Sequence, residues 1–194
     1  MKKIFFTAIL GFCTHIGSGQ NTLILHIDSV CNDINKQIEY EVVLPHTISY
    51  IVNRPAIGIQ RTTLDFYYNA MSCENYDYDP LTDSVDYVVH PELYKVVMKY
   101  NVAASEFVRK EYYYDNGTLI FFEAVVNSVY NDTGIDSLRA YFDGSNLQKI
   151  EKYKNSEISE ATSTVNETAE NAVSYAKEYL AFFKQMNALE YRQH

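Results

Sequence analysis

Tryptophan is absent from the chain, and glycine and proline are scarce at seven and four residues. So few chain-breakers exclude collagen-like and low-complexity architectures. None of the glycines falls in GxGxxG or GxxxxGK[ST] order, so no phosphate-cradling loop is written here. GxSxG and HExxH are missing as well, which removes the nucleophile elbow and the helical zinc-protease site. Three cysteines are too few for a disulfide scaffold, and they form no CxxC pair or metal knuckle. His26, His46, His90 and His194 lie at no metal-ligand spacing. Basic residues are outnumbered, 16 Lys and Arg against 25 Asp and Glu, for a net charge of −9. That balance repels phosphate backbones and excludes nucleic acid as a partner. No apolar run approaches the roughly 20 residues that cross a bilayer as a helix.

What is present begins with a short secretory pattern. Lys2 and Lys3 precede an apolar stretch from Ile4 to Phe12, and Gly17, Ser18 and Gly19 follow. Residues 1–19 read as a signal peptide cut after Gly19, leaving residues 20–194 as a single domain outside the cytoplasm, periplasmic, cell-surface or secreted. Cys13 follows the bulky Phe12, unlike the small residue that precedes a lipidated cysteine, so the segment reads as cleaved and not as a lipid anchor. Cys31 and Cys73 remain, and sequence leaves both a disulfide and two buried thiols open.

Hydrophobic periodicity then sets the architecture. Leu23, Ile27, Val30, Cys31, Ile34 and Ile38 recur at spacings of three and four, predicting a helix from Thr22 to about Tyr40. Period-two patterns predict strands over 61–70 and 94–102, separated by an acidic connection across 71–92. Tyr113-Tyr114-Asp115-Asn116-Gly117-Thr118-Leu119 is a hairpin signal, because a type I′ turn needs positive φ at both central residues. Its simplest register sets Tyr114 against Leu119, Tyr112 against Phe121 and Lys110 against Glu123. The pattern recurs 28 residues on, as Tyr141-Phe142-Asp143-Gly144-Ser145-Asn146-Leu147, with Asn131 to Gly134 supplying the intervening turn. Thr164 and Glu167 form a capping box, and an apolar stripe through Val173, Ala176, Leu180 and Phe183 continues the terminal helix. The expected fold is α+β: an N-terminal helix, an antiparallel meander of about five to six strands, and a C-terminal helix packed on the sheet. Both faces of the meander are apolar, so either helices clad both or one lines a groove.

The hairpins resemble those of exported proteins of Gram-negative bacteria in which Tyr-Tyr-x-Asn-Gly-x-Leu units build a meander. Tyr141-Phe142-Asp143-Gly144 and Tyr153-Lys154-Asn155 also resemble MORN-like repeats, over residues 94 to 154 at most. The glycines that separate MORN-like hairpins are missing here, and neither resemblance implies an activity.

No catalytic, cofactor or metal residue is assigned. Asp77-x-Asp79 has a calcium-like spacing but lacks the glycine and closing glutamate of an EF-hand, so the acidic run reads as solvated surface. Tyr76, Asp77, Tyr78 and Asp79 are the residues singled out for contact with a partner, since tyrosine supplies rigid amphipathic area. The lack of tryptophan weighs against a glycan. The sequence therefore points to an exported, non-enzymatic binding or interaction protein, its partner a protein or a small ligand. Two alternatives stand beside it: a periplasmic hydrolase built from distant carboxylates such as Asp65, Glu111 and Glu123 with tyrosines, and a structural envelope component.

Overall fold

A computed structural model describes residues 5–43, 45–55, 58–69, 73–79, 84–89, 91–103, 106–128, 137–154, 157–159 and 163–190. The fold is α+β. A long helix, α1 (Phe5–Glu39), is followed by ten strands and a final helix, α2 (Ser163–Glu190). The strands are β1 (Pro45–Arg54), β2 (Gly58–Asn69), β3 (Cys73–Asp79), β4 (Ser84–Val89) and β5 (Glu92–Ala103). They continue as β6 (Glu106–Asp115), β7 (Thr118–Ser128), β8 (Ser137–Asp143), β9 (Asn146–Lys154) and β10 (Glu157–Ser159). Eight of them form one antiparallel sheet in the order β1-β2-β5-β6-β7-β8-β9-β10, more strands than the five to six expected. The other two, β3 and β4, make a separate hairpin. The connection expected across 71–92 thus carries strands of its own, which the alternation of Tyr76 and Tyr78, then Val85, Tyr87 and Val89, encodes behind the acids.

Helices clad the sheet on both sides, which explains why its strands are apolar on both faces. α2 lays Ala169, Ala172, Ala176 and Phe183 on one face, against Phe66, Val96, Tyr112, Tyr114, Phe122 and Phe142. The small alanines bring the helix backbone close, and Tyr114 donates a hydrogen bond to the Ala176 carbonyl at 3.0 Å. Asn171, Ser174, Lys177, Glu178 and Gln185 face outward, as the stripe predicts. α1 covers the opposite face with Ile27, Cys31 and Ile34, which meet Tyr113, Phe121 and Tyr141. It ends in a Schellman arrangement: Glu41 takes φ 56°, and the Val42 N–H reaches the Gln37 carbonyl at 2.9 Å. Gln20 donates to the Gln148 carbonyl on β9, whereas Asn35 meets Lys95 on β5, so α1 crosses the strands.

The predicted hairpin turns are present. Asn116 and Gly117 have φ 49° and 71°, the type I′ signs. Gly144 has φ 62° and Ser145 does not share its sign, so the second turn follows the II′ pattern. The register beyond each turn departs from the simple one. Tyr114 opposes Leu119 as expected, but Tyr113 then opposes Phe121, and Ile120 is skipped. Gln148 is skipped in the same position of the second hairpin, where Phe142 opposes Leu147 and Tyr141 opposes Lys149. These bulges slip the pairing by one, so Tyr112 faces Phe122, Lys110 faces Ala124 and Glu111 faces Glu123. A third irregularity skips Tyr94 between Leu93 and Lys95, turning Tyr94 toward the α1 side instead of joining Val96 and Met98. The bulge therefore recurs at the same position of both hairpins, although their turns differ in type. The turn expected at 131–134, and the side chains of the Thr164–Glu167 capping box, lie outside the described residues.

Candidate functional site: a tyrosine-lined groove beside the C-terminal helix

The carboxylates considered for hydrolysis do converge, because the bulge brings Glu123 beside Glu111. On the α1 face the pairing runs Asp65, Val97, Glu111, Glu123, Arg139 and Glu151 from strand to strand. Each acid already holds a cation. Asp65 takes Lys99 at 2.9 Å and a hydrogen bond from Thr47 at 2.8 Å. Glu123 is bonded to Arg139 at 2.7 Å, not to Lys110, which lies on the other face. Glu111 pairs with Lys95 at 2.8 Å, with both side chains 6% exposed, and with Arg109. The Lys95 amine also donates to Tyr113 at 2.6 Å and to Asn35 at 2.8 Å, while the Tyr113 hydroxyl donates to Glu111 at 2.7 Å. All three ammonium protons are placed, so this network pins α1 to the sheet and leaves no group idle for acid–base work. Burial on its own would raise the Glu111 carboxyl. The Lys95 charge, the hydrogen bonds from Lys95 and Tyr113, and Arg109 outweigh it and hold the group below its ordinary value.

The cysteine question closes on the same face. Cys31 is a free, buried thiol, pushed up to about 12 first by desolvation and then by Asp28. A thiol held protonated in this way is a packing group, not a nucleophile. Among the described residues no group of three or more His, Cys, Asp or Glu is placed to hold a metal ion.

Tyr76, Asp77, Tyr78 and Asp79 lie on β3, in the small hairpin. Backbone pairing sets Tyr76 against Tyr87, Asp77 against Asp86, and Tyr78 against Val85. Their side chains lie outside the described residues.

The arrangement that sequence reasoning missed is on the α2 face, where a groove of about 430 Å³ opens between the sheet and the middle of α2. Its floor comes from strands β1, β2, β5 and β6: Tyr50, Gln60, Thr62, Met98, Tyr100, Lys110 and Tyr112. Its wall comes from α2: Tyr175, Glu178 and Tyr179. Tyr175 and Tyr179 stack with centroids 6.4 Å apart, and Tyr179 meets Tyr112 edge-on at 5.2 Å. Burial raises the Tyr179 hydroxyl to about 12, so this group stays protonated at ordinary pH.

Three polar groups set this groove apart from a packing defect. Gln60 is 8% exposed and Thr62 3%, and neither side chain has a hydrogen-bond partner among the described residues. Such groups are normally bonded, because burying them bare costs free energy. The third is Lys110. In its cross-strand row it stands between apolar neighbours, with Ile48, Leu64 and Met98 on one side and Ala124 and Leu138 on the other; the row becomes polar again only at Lys152 and Ser159 on the far strands. Its amine lies 5.7 Å from the Tyr100 ring centroid and 6.0 Å from that of Tyr175. No carboxylate among the described residues lies within 4.0 Å of it. Burial alone lowers its pKa, with no countering acid.

The misreading has a definite origin. In the unbulged register Lys110 and Glu123 neutralise each other across the hairpin, and nothing marks the lysine. A signal was nonetheless present, since Lys110 shares its strand face with Tyr112 and Tyr114, the core face of the hairpin. Comparison of the chain with protein-family models, curated proteins and solved structures found no match to any of them.

Proposed function

We propose that the chain is an exported, non-enzymatic binding protein whose ligand enters the groove beside α2. The observation that carries this reading is the convergence on one tyrosine-walled groove of buried Gln60 and Thr62, without side-chain hydrogen-bond partners among the described residues, and half-buried Lys110, whose amine meets tyrosine rings but no carboxylate there. Ligand sites are concave and mostly apolar, with a few placed polar groups, and commonly occupy some 300–1,000 Å³. Tyrosine hydroxyls and an ammonium with no carboxylate within 4.0 Å among the described residues are suited to bind and orient a ligand, not to activate water. Export rests on Lys2 and Lys3, the short apolar run to Phe12, and the small residues before Gln20. The α1 residues of the described core, Leu23 through Ile38, all follow Gly19, so loss of residues 1–19 leaves that cluster whole.

Expression of the full chain in a Gram-negative host, followed by intact-mass measurement and a thermal-shift screen against small organic acids, sugars and peptides, tests both parts. The periplasmic or secreted protein is expected to begin at Gln20. At least one compound class is expected to stabilise it, by about 2.7 kcal/mol at a hundredfold excess over Kd. That shift should vanish in a Gln60→Leu/Lys110→Met variant that melts normally. An uncleaved cytoplasmic product would remove export, and stabilisation unchanged in the double variant would remove the groove.

A further inference from the structure

We infer that the groove takes a ring-bearing monocarboxylate: a flat aromatic or heteroaromatic body carrying a single carboxylate, held by Lys110. This rests on the groove being the binding site and adds the chemical class of what fills it.

The charge argument comes first. One ammonium, with no carboxylate within 4.0 Å among the described residues, sits between the apolar cross-strand neighbours Met98 and Ala124. A single compensating negative charge matches it. Glu178 on the helix wall is the acidic side chain that lines the same groove. It penalises a dianion such as a phosphate monoester more than it penalises a monoanion, and one lysine supplies no second cation to offset it.

Shape and polarity specify the rest. Tyr175 and Tyr179 are inclined at only 22°, so the exposed side of Tyr175, itself 45% exposed, continues a stack for a planar ring. Tyr50, 42% exposed, closes the groove from the sheet side. Gln60 offers a donor and an acceptor, and Thr62 a hydroxyl, on the buried floor. A carboxylate held by Lys110 finds Gln60 and Thr62 on the same groove floor as the further polar groups. A volume of about 430 Å³ suits a ligand of one or two rings.

Isothermal titration of the full chain with benzoate, trans-cinnamate and indole-3-acetate, each beside its neutral primary amide, tests the assignment. Amide chemical shifts locate the binding. At least one carboxylate is expected to bind tenfold or more tighter than its amide, with shifts at Gln60, Thr62 and Tyr175. Lys110→Met should lose tenfold or more for the carboxylate and leave the amide unchanged, while Lys110→Arg retains most of the affinity. If acid and amide bind the groove equally, or Lys110→Met affects them alike, the carboxylate inference falls and the groove stands. If none of the six compounds binds, the inference likewise falls. If they bind with shifts elsewhere, the groove reading falls with it.

Discussion

Replacing Glu111 by leucine should cost about 3–5 kcal/mol of folding stability, the loss expected when one member of a buried ion pair is removed and the other is stranded. Lys95 would keep Asn35 and Tyr113 as acceptors but no counter-charge, in a position 6% exposed. The converse change, Lys95→Met, should cost less, because Glu111 retains Arg109 and the Tyr113 hydroxyl. The Lys95→Met/Glu111→Leu double variant should recover most of the loss, giving a coupling energy of opposite sign to the single changes. Urea melts of the four proteins measure this. The pH dependence follows from the depressed Glu111 carboxyl. A group whose folded pKa lies below its unfolded value contributes stability that is full above the unfolded value, 4.5, and is lost as pH falls through the folded one. Wild type should therefore lose this contribution below about pH 4.5, and the double variant should not.

Phe183→Ala is the second large effect, at about 3–5 kcal/mol. The ring is 2% exposed, stacked on Phe66 at 6.3 Å and tilted against Tyr68 at 5.1 Å, so its removal opens a cavity under the end of α2. Phe182, its neighbour in sequence, is 42% exposed and touches Phe66 from the side at 5.9 Å. Phe182→Ala should cost about 1 kcal/mol or less, since it removes little buried area. Denaturant melts distinguish the two: both should keep the wild-type m value, and only Phe183→Ala should move the midpoint far. Equal losses would mean that α2 is rotated about its axis from the position described.

Much of this architecture is legible in the chain because local signals are strong where the elements are regular. The 3.6-residue stripe of α2 separates Ala172, Ala176 and Phe183 from Lys177 and Glu178 without ambiguity, and the structure places them so. Asn116-Gly117 names its turn because few other pairs tolerate two positive φ angles in succession. What sequence periodicity does not carry is the bulge. Ile120 and Gln148 resemble any other strand residue, yet each shifts the return strand by one and exchanges its faces. The candidate site was hidden by that single slip, since it determines whether Lys110 meets Glu123 or the groove. The groove's other members, Tyr50, Gln60 and Tyr175, come from β1, β2 and α2, and no local pattern joins positions so far apart. The hairpin of β3 and β4 was masked differently, by aspartates that made an alternating strand read as solvated loop.

The claim on which the account turns is that the charge of Lys110 serves a ligand and not the fold. Stability of wild type and Lys110→Met, measured by denaturant titration without ligand from pH 7 to 10.5, tests it. Methionine fits the row of Leu64, Met98 and Ala124, so the variant should be more stable at pH 7 by about 1 kcal/mol, as when an uncompensated site residue is removed. Burial lowers the folded pKa of the amine below its ordinary 10.5. Between those values the unfolded chain binds the extra proton, so wild-type stability rises with pH there and the gap between the proteins closes toward 10.5. Glu178 is the acid lining the same groove, and Glu178→Gln should leave that closure in place. A variant less stable than wild type at pH 7 by 1 kcal/mol or more would contradict the account, because Lys110 would then be holding the fold together.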